Sequence, residues 1–251
     1  MDLQLTGKRA IVTGASQGIG LAIAHALAAE GVDVVLAARS ADKLTAAAAD
    51  VAARSGRRAV AVPTDVTSDA AVQALVARTV AELGGVDILV NNASNQSIGH
   101  GFPALAGTTD DVFWGDLDVK VLGYIRVARA VAPLLAEQGW GRIINVSGSG
   151  YKQTLTIVRT IRNVSVVALT KNLADELGPH GVNVTVVHPA GTLTDVNEER
   201  FDGRDPGNAI GRFVTAAEVA DVVAFLASPR SVSIDGDAVH VGGGVLGTVN
   251  Y

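Results

Sequence analysis

A glycine-rich run near the start of the chain has the residue types and the spacing to bind phosphate. It reads Thr-Gly-Ala-Ser-Gln-Gly-Ile-Gly over 13–20 and joins an apolar strand pattern to a helical pattern. Amide groups at the start of a helix lack internal partners and the helix dipole is positive there, so an anion is stabilised. Gly14 permits the turn, Gly18 lets the backbone approach a pyrophosphate, and Gly20 allows close packing of strand and helix.

The end of the second predicted strand indicates which dinucleotide such a loop would hold. That strand ends at Ala38, and Arg39 follows it. A fold that selects NAD usually places a carboxylate near this point to hold the ribose 2′-hydroxyl. A guanidinium pairs instead with a 2′-phosphate, which a carboxylate would repel. We therefore predict NADP(H) rather than NAD(H), with a solvated surface arginine as the alternative.

The elements that must position these residues alternate along the chain. Apolar runs predict strands at 9–13, 32–38, 58–62, 88–92, 142–147, 182–188 and 238–241. Helical patterns cover 16–30, 41–55, 68–83, 109–138, 160–177 and 216–227. This alternation predicts one doubly wound, Rossmann-type α/β domain over 1–251, with a seven-stranded parallel sheet and helices on both faces. The polar, glycine-rich stretch 191–211 is the candidate for a mobile lid.

Composition narrows the classes of function. The 251 residues are 48% hydrophobic, carry a net charge of −5 and include no cysteine, which excludes disulfides and thiol chemistry. Acidic and basic residues are mixed without a basic stripe, so we expect no nucleic-acid partner. No run approaches the roughly 18 apolar residues that span a bilayer, so we expect a cytoplasmic protein without a membrane contact. No metal site is predicted.

The spacing Thr-Gly-x-x-x-Gly-x-Gly resembles the short-chain dehydrogenase/reductase family. The likeness continues at Asp65-Val66, at Asn91-Asn92-Ala93-Ser94 and at the Pro-Ala-Gly-Thr-Leu-Thr run 189–194. It implies a dinucleotide cofactor, a homodimer or homotetramer, and contact of Asp65 with the adenine amino group; helix capping is the alternative for Asp65. The residues expected to bind the cofactor are Gly14, Ser16, Gln17, Gly18, Ile19, Gly20, Arg39, Asp65, Val66, Asn91, Asn92, Ala93, Pro189, Gly191, Thr192 and Thr194.

The same resemblance implies a catalytic set of Asn, Ser, Tyr and Lys, from which this chain departs. Lys120 stands at the position of the family's Asn, and Gly148 at that of its Ser. Arg159 stands at the Tyr position and Asn163 at the Lys position, and no Tyr-x-x-x-Lys occurs anywhere in the chain. If Lys120 and Asn163 face each other across the cofactor, the amine has moved to the opposite wall.

Lys120 is the first candidate for chemistry. It falls within an apolar stripe at helical spacing, where lysine is rare unless it is paired or functional. That stripe consists of Phe113, Leu117, Lys120, Tyr124, Val127 and Val131. Burial would favour the neutral amine, which is a better proton acceptor or Schiff-base nucleophile. The alternatives are a side chain that snorkels outward, or one that bonds backbone carbonyls as a structural group.

The other candidates would bind or donate a proton. Arg159 stays protonated and cannot replace a tyrosine, but it could bind a carboxylate or phosphate with two hydrogen bonds, which suggests an acidic substrate. A surface arginine is the alternative, and Asn163 could equally be a satisfied core amide. The first choice of proton donor is Tyr151, followed by Tyr124, with His188 as a further option. Ser147 and Ser149 could donate to a carbonyl oxygen or stabilise a turn.

Together these features predict an NADP(H)-dependent oxidoreductase that acts on a small carbonyl or alcohol substrate through a rebuilt site. Lys120, Ser149, Tyr151, Arg159 and Asn163 are the residues expected to line that site. Two alternatives stay open. One is an NADP-binding protein without turnover. The other is a lyase or isomerase that uses Lys120 without redox chemistry.

Overall fold

The structure is a computed structural model that describes residues 1–95, 104–151 and 156–247. The strands in these ranges are β1 (Arg9–Thr13), β2 (Asp33–Ala38), β3 (Ala59–Pro63), β4 (Ile88–Asn91), β5 (Gly141–Val146), β6 (Val182–Pro189), β7 (Thr192–Leu193), β8 (Val214–Thr215) and β9 (Ala238–Val241). The α-helices are α1 (Gly18–Ala29), α2 (Ala41–Ser55), α3 (Asp69–Leu83), α4 (Asp110–Leu117), α5 (Gly123–Glu137), α6 (Ile157–Leu177), α7 (Glu198–Phe201) and α8 (Ala216–Leu226).

The main sheet is parallel throughout and has seven strands in the order β3-β2-β1-β4-β5-β6-β9. The chain runs outward from β1 to β3, then returns to β4 and builds the other half. The strand order therefore reverses between β1 and β4, where Val12 pairs with Val90. Ligands of open α/β sheets bind outside the carboxyl ends of the strands at such a switch point. The predicted fold class and strand count are confirmed.

Helices cover both faces of this sheet, which explains why most residues of its central strands are apolar and buried. Alternate strand residues point to opposite faces. Val12 and Val34 are buried in the core that includes residues of α1 and α8. Ile11 and Val35 are buried in the core that includes residues of α3 and α5. Alternate residues of these central strands therefore contribute to two different cores.

The predicted helix over 109–138 is wrong in one respect, because it is interrupted. Between α4 and α5 the chain forms a π-helical turn, Asp118–Leu122, in which the amide of Gly123 donates to the carbonyl of Asp118. Such turns contain one residue more than an α-helical turn and often lie at functional sites. The continuous apolar stripe gave no sign of this insertion. Lys120 lies at its centre.

The segment predicted as a lid is anchored at both ends. Strand β7 pairs with β8 in a separate two-stranded sheet, and the rings of Phe201 and Phe213 lie 4.4 Å apart. Asn197 closes the turn after β7, because its side chain accepts from Thr194 and donates to Thr192. Whether this segment moves stays a prediction.

Candidate functional site

A cleft of about 2030 Å³ lies at the carboxyl ends of the strands. The glycine loop forms one wall of it, and its backbone requires glycine. Gly14 and Gly18 have φ angles of 66° and 60°, in the left-handed region that favours glycine. A Cβ atom on Gly20 would overlap the carbonyl oxygen of Gly14. The loop therefore keeps its backbone exposed to the cleft, as close approach of a phosphate requires.

Side chains from β1 and β4 hold this loop in place. The hydroxyl of Thr13 accepts from the amides of Asn92 at 2.9 Å and Ala93 at 3.1 Å. The side-chain amide of Asn92 donates to the carbonyls of Thr13 and Gly14, at 3.1 and 3.2 Å. Asn92 lines the cleft, but its donor is used to fix the loop.

Asn91 differs from the other predicted cofactor residues, because it is buried and does not line the cleft. Its amide donates to Asn145 at 3.0 Å, and Asn145 donates in turn to Thr170 at 3.0 Å. This chain of hydrogen bonds joins β4, β5 and α6. Asn91 therefore joins strands behind the cleft, and its contact with a cofactor stays a prediction.

The remaining predicted cofactor residues all line the one cleft, although contact with a cofactor stays a prediction. They are Gly14, Ser16, Gln17, Gly18, Ile19, Gly20, Arg39, Asp65, Val66, Asn92, Ala93, Pro189, Gly191, Thr192 and Thr194. Arg39 and Lys43 add positive charge beside the end of β2. The exposed loop backbone, the volume of the cleft and these cations fit a phosphorylated dinucleotide.

Asp65 lies in this cleft but does not cap α3. Ser68 is the cap, since its hydroxyl accepts from the amide of Ala71. The carboxylate of Asp65 accepts from the amide and hydroxyl of Thr67, at 3.0 and 2.8 Å. These bonds lower the pKa of Asp65 against the opposing effect of burial, and the charges of Arg39 and Arg126 lower it further. Asp65 is therefore ionised at neutral pH, and the capping alternative is wrong.

Sequence reasoning did not identify Asp195, whose carboxylate contacts the first turn of α1. The amide of Gly18 donates to the carboxylate of Asp195 at 2.8 Å, and the side chain of Thr194 packs against Gly18. Gly18 and Asp195 are 177 positions apart in the sequence, so only the fold brings them together. This amide is one of those that the glycine loop offers to an anion.

At the other end of the cleft, Lys120 is 4% exposed and still contributes to the wall. Its ammonium group donates to the carbonyl of Ser147 at 2.8 Å. Burial lowers the pKa of Lys120 well below its usual value, the positive charges of Arg162 and Arg159 lower it further, and Asp116 partly opposes them. The predicted burial is confirmed, and the carbonyl bond of the structural alternative is present as well.

A buried ion pair lies beside Lys120 and joins α4 to α6. One guanidinium nitrogen of Arg162 lies 2.6 and 2.8 Å from the two carboxylate oxygens of Asp116, which is fully buried. Removing one partner of such a pair leaves an uncompensated charge in the interior. This pair could not be predicted from the sequence, because Asp116 and Arg162 are 46 positions apart and nothing local connects them.

Asn163 and Gly148 fit each other at the end of β5. Asn163 is 4% exposed and lines the cleft, and no described residue donates a hydrogen bond to its side-chain oxygen. A Cβ atom at Gly148 would lie 3.3 Å from the side-chain nitrogen of Asn163, closer than ordinary packing. The hydroxyl of the neighbouring Ser147 donates to the backbone carbonyl of Asn163 at 3.4 Å.

The predicted proton donors differ in whether their side chains line the cleft. Tyr124 is buried away from the cleft lining and donates to the carbonyl of Val146 at 2.8 Å, and burial raises its pKa. His188 does not line the cleft, and its Nδ1 lies 3.0 Å from the carbonyl of Gly148. The side chain of Tyr151 lies outside the described part of the structure. Ser149 lines the cleft, as do Lys120 and Arg159.

Arg159 lines the cleft from the first turn of α6, which begins at Ile157 and so starts earlier than predicted. Thr156 caps this helix, and its hydroxyl accepts from the amide of Arg159 at 3.3 Å. Arg159 therefore lies in the first turn, one turn before Asn163, and both residues line the cleft. Its charge acts on Lys120 across the cleft wall.

The fold and the cleft together define a doubly wound protein of the dinucleotide-binding class. The chain belongs to the short chain dehydrogenase family, a class of oxidoreductases, whose model matches residues 8–205. The short-chain reductase protein NovJ of Streptomyces niveus is 38% identical over 249 residues, which cover 94% of this chain and 92% of that protein.

Solved structures show the same likeness. L-Sorbose reductase from Gluconobacter frateurii, complexed with NADPH and L-sorbose, is 30% identical with a TM-score of 0.89, covering 99% of this chain and 100% of that one. A xylitol dehydrogenase bound to NAD⁺ is 28% identical with a TM-score of 0.88, covering 96% and 100%. Similarity of fold alone therefore does not choose between the two dinucleotides.

Within the described ranges, no group of three or more His, Cys, Asp or Glu residues could hold a metal ion. None of the helices described there is long and apolar enough to cross a membrane.

Proposed function

We propose that this protein is an NADP(H)-dependent oxidoreductase that interconverts a carbonyl and an alcohol, with Lys120 as its proton-transfer residue. One observation carries the proposal. A buried lysine with a strongly lowered pKa forms part of the wall of a cleft that fits a dinucleotide. The described chain acts as one dinucleotide-binding domain. Assembly as a homodimer or homotetramer stays a prediction.

The preference for NADP(H) rests on the end of β2. Arg39 follows that strand where an NAD-selective fold places a carboxylate, and Lys43 lies on the same side of the cleft. Both cations would pair with a 2′-phosphate, which carries up to two negative charges. When bound, the dinucleotide supplies or accepts the hydride.

Lys120 would handle the proton. The carbonyl of Ser147 holds its nitrogen at 2.8 Å, so the amine keeps one orientation in the cleft wall. Because its pKa is lowered, the amine is neutral more often than an exposed lysine and can accept the proton of an alcohol. In the reverse direction the ammonium form returns that proton to the alkoxide oxygen. Ser149 lines the same cleft, and its hydroxyl would donate to the carbonyl oxygen of the substrate.

The test combines NADPH binding with turnover over a panel of aldehydes and ketones. We expect NADPH to bind more tightly than NADH. We expect the Lys120→Met variant to lose about 100-fold or more in kcat, while its dissociation constant for NADPH changes little. Lys171→Met, on the exposed face of α6, is the matched control and should leave both quantities unchanged.

The outcomes separate the alternatives. Tight NADPH binding without turnover across the panel would favour a binding protein. Trapping of Lys120 by borohydride in the presence of a carbonyl compound, with the dinucleotide unconsumed, would favour the lyase or isomerase. Full activity of the Lys120→Met variant, or tighter binding of NADH than NADPH, would contradict the proposal.

A further inference from the structure

A second pocket, of about 420 Å³, lies at the opposite edge of the sheet from the cleft. It is lined by residues at the starts of β5 and β6 and in the loops next to them, among them Arg142, Val182 and Asp235. The described residues that line it do not line the cleft at the carboxyl ends of the strands. Its volume is within the range of small-molecule sites, about 300–1,000 Å³.

Arg142 places a buried guanidinium in the wall of this pocket. The residue is 3% exposed, its Nε donates to the carbonyl of Ser228 at 3.2 Å, and its Nη1 donates to the carbonyl of Gly141 at 2.8 Å. Among the residues that the structure describes, none accepts from Nη2 and none forms an ion pair with this guanidinium. Burial lowers the pKa of Arg142, and the charge of Asp235 only partly opposes this effect. A bound anionic group would therefore stabilise the buried charge.

Asp235 contributes the opposite charge to the same pocket. Its Oδ1 accepts from the amide of Val184 at 2.7 Å, which fixes the orientation of the carboxylate. A Cβ atom on Gly178 would lie 3.4 Å from Oδ2, so this oxygen lies beside the C-terminal end of α6, where the helix dipole is negative. Lys171, a further cation on which Asp235 acts, pairs with Asp175. A cationic group of a ligand is therefore favoured beside Oδ2.

The two charges line one pocket without direct contact. Asp235 acts on Arg142 through its charge, but no hydrogen bond joins these two described side chains. Space therefore separates them inside the pocket. A molecule that carries one negative and one positive group could pair with both.

The pocket also has an apolar wall, to which Trp140, Val182 and Val232 contribute. Nζ of Lys8 lies 3.8 Å from the centroid of the Trp140 ring, and the guanidinium carbon of Arg142 lies 4.8 Å from it. These cation–π contacts hold the ring in the wall. An apolar group of a ligand would be removed from water against this surface.

We propose that this pocket binds a small zwitterion with an apolar side chain, such as an aliphatic α-amino acid, with its carboxylate on Arg142 and its ammonium group on Asp235. The pocket is separate from the cleft, so the inference does not depend on the oxidoreductase function proposed above.

The test follows the indole N–H signals of the protein by NMR during titration with L-leucine and two analogues. Isocaproate lacks the amino group of leucine, and isopentylamine lacks its carboxylate. Trp114, the other tryptophan of the chain, lies on α4 outside the pocket, so its signal is the internal reference. We expect the signal of Trp140 to shift. We expect leucine to bind at least about tenfold more tightly than either analogue, because each analogue lacks one charge-assisted contact.

Two substitutions test the two charges separately. Asp235→Asn keeps an oxygen for the amide of Val184, so the fold should be retained. It should weaken leucine binding by about tenfold and should not weaken the binding of isocaproate. Arg142→Met should weaken the binding of both compounds by about tenfold or more. If Arg142→Met does not fold, Asp235→Asn alone decides.

Asp237→Asn is the matched control, because it removes the same charge from an exposed residue that does not line the pocket. It should bind leucine as wild type does. Equal affinity for leucine and isocaproate would identify a simple anion site and overturn the inference. Equal losses in Asp235→Asn and Asp237→Asn, or leucine binding that leaves the signal of Trp140 unchanged, would overturn it as well, as would the absence of leucine binding.

Discussion

If a dinucleotide binds with its pyrophosphate at the glycine loop, as proposed, it competes with Asp195 for the amide of Gly18, so removing this carboxylate should strengthen NADPH binding. The amide of Gly18 donates to this carboxylate at 2.8 Å. An exposed carboxylate at a helix N-terminus contributes about 0.3–1 kcal/mol, and solvent screening limits what the hydrogen bond adds. We therefore take about 1 kcal/mol for the contact, which corresponds to about a fivefold change in dissociation constant.

The measurement is a fluorescence titration of NADPH against wild type, Asp195→Asn and Asp195→Ala. Alanine removes the competing acceptor and should tighten binding by about fivefold. Asparagine keeps a neutral acceptor and should fall between alanine and wild type. Because the same contact stabilises the protein without cofactor, urea unfolding should show a loss of about 1 kcal/mol in Asp195→Ala.

Asp202→Asn serves as the control, because Asp202 is another exposed carboxylate in the segment between β7 and β8. It changes the net charge of the protein by the same amount without touching α1, and should leave the affinity as it is. If Asp195→Ala binds NADPH no more tightly than wild type, or more weakly, then the carboxylate does not compete for the Gly18 amide. If Asp202→Asn gains as much, the effect is one of general charge.

Three further predictions concern the buried groups and the glycine loop. Asp116→Asn should destabilise the fold by about 3 kcal/mol in urea unfolding, because Arg162 stays buried while its counter-charge at Asp116 is lost. The control Asp118→Asn breaks a more exposed pair with Arg126 and should cost about 1 kcal/mol or less. Equal losses in the two variants would refute this distinction between the buried and the exposed pair. Gly20→Ala should abolish NADPH binding and cost about 2 kcal/mol or more, because its Cβ overlaps the carbonyl of Gly14; Gly115→Ala, with open space around its Cβ in α4, should be neutral or stabilising. The folded-state pKa of Lys120 lies well below 10.5. At a pH between these two pKa values, the unfolded chain binds a proton at this lysine that the folded chain does not. The free energy of unfolding should therefore rise with pH in that window. The difference in unfolding free energy between wild type and Lys120→Met should therefore grow by up to about 1.4 kcal/mol per pH unit until the unfolded lysine titrates; a difference independent of pH between 6 and 9 would count against a neutral Lys120.

The strands of the sheet could be predicted from the sequence because the pattern that indicates each strand is local. Strand β9 was predicted with its observed bounds and α2 likewise, since each is a short patterned run between turns. The glycine loop could be placed for the same reason, because positive φ angles and close approach restrict the residue type at each position. These constraints act within about ten residues of chain.

Contacts between segments that are distant along the chain could not be predicted from the sequence. Nothing near Asp195 indicates that it reaches Gly18, and nothing near Asp116 indicates Arg162. The π-turn at Asp118–Leu122 was missed because one inserted residue leaves the apolar stripe intact on both sides. Asn91 and Asn92 have the same side chain, yet one is buried between strands and the other faces the cleft. The alternation of side chains along the chain gives the two residues different environments, which their residue type alone does not indicate.

The close fit between position 148 and Asn163 limits how this site can change by single mutations. Any side chain at 148 would bring its Cβ to 3.3 Å from the amide nitrogen of Asn163, so that amide must move before a serine can be accommodated. Replacing Asn163 first, by a smaller residue, would open the space that the second change needs. The effect of a serine at 148 is therefore expected to depend on which residue occupies position 163.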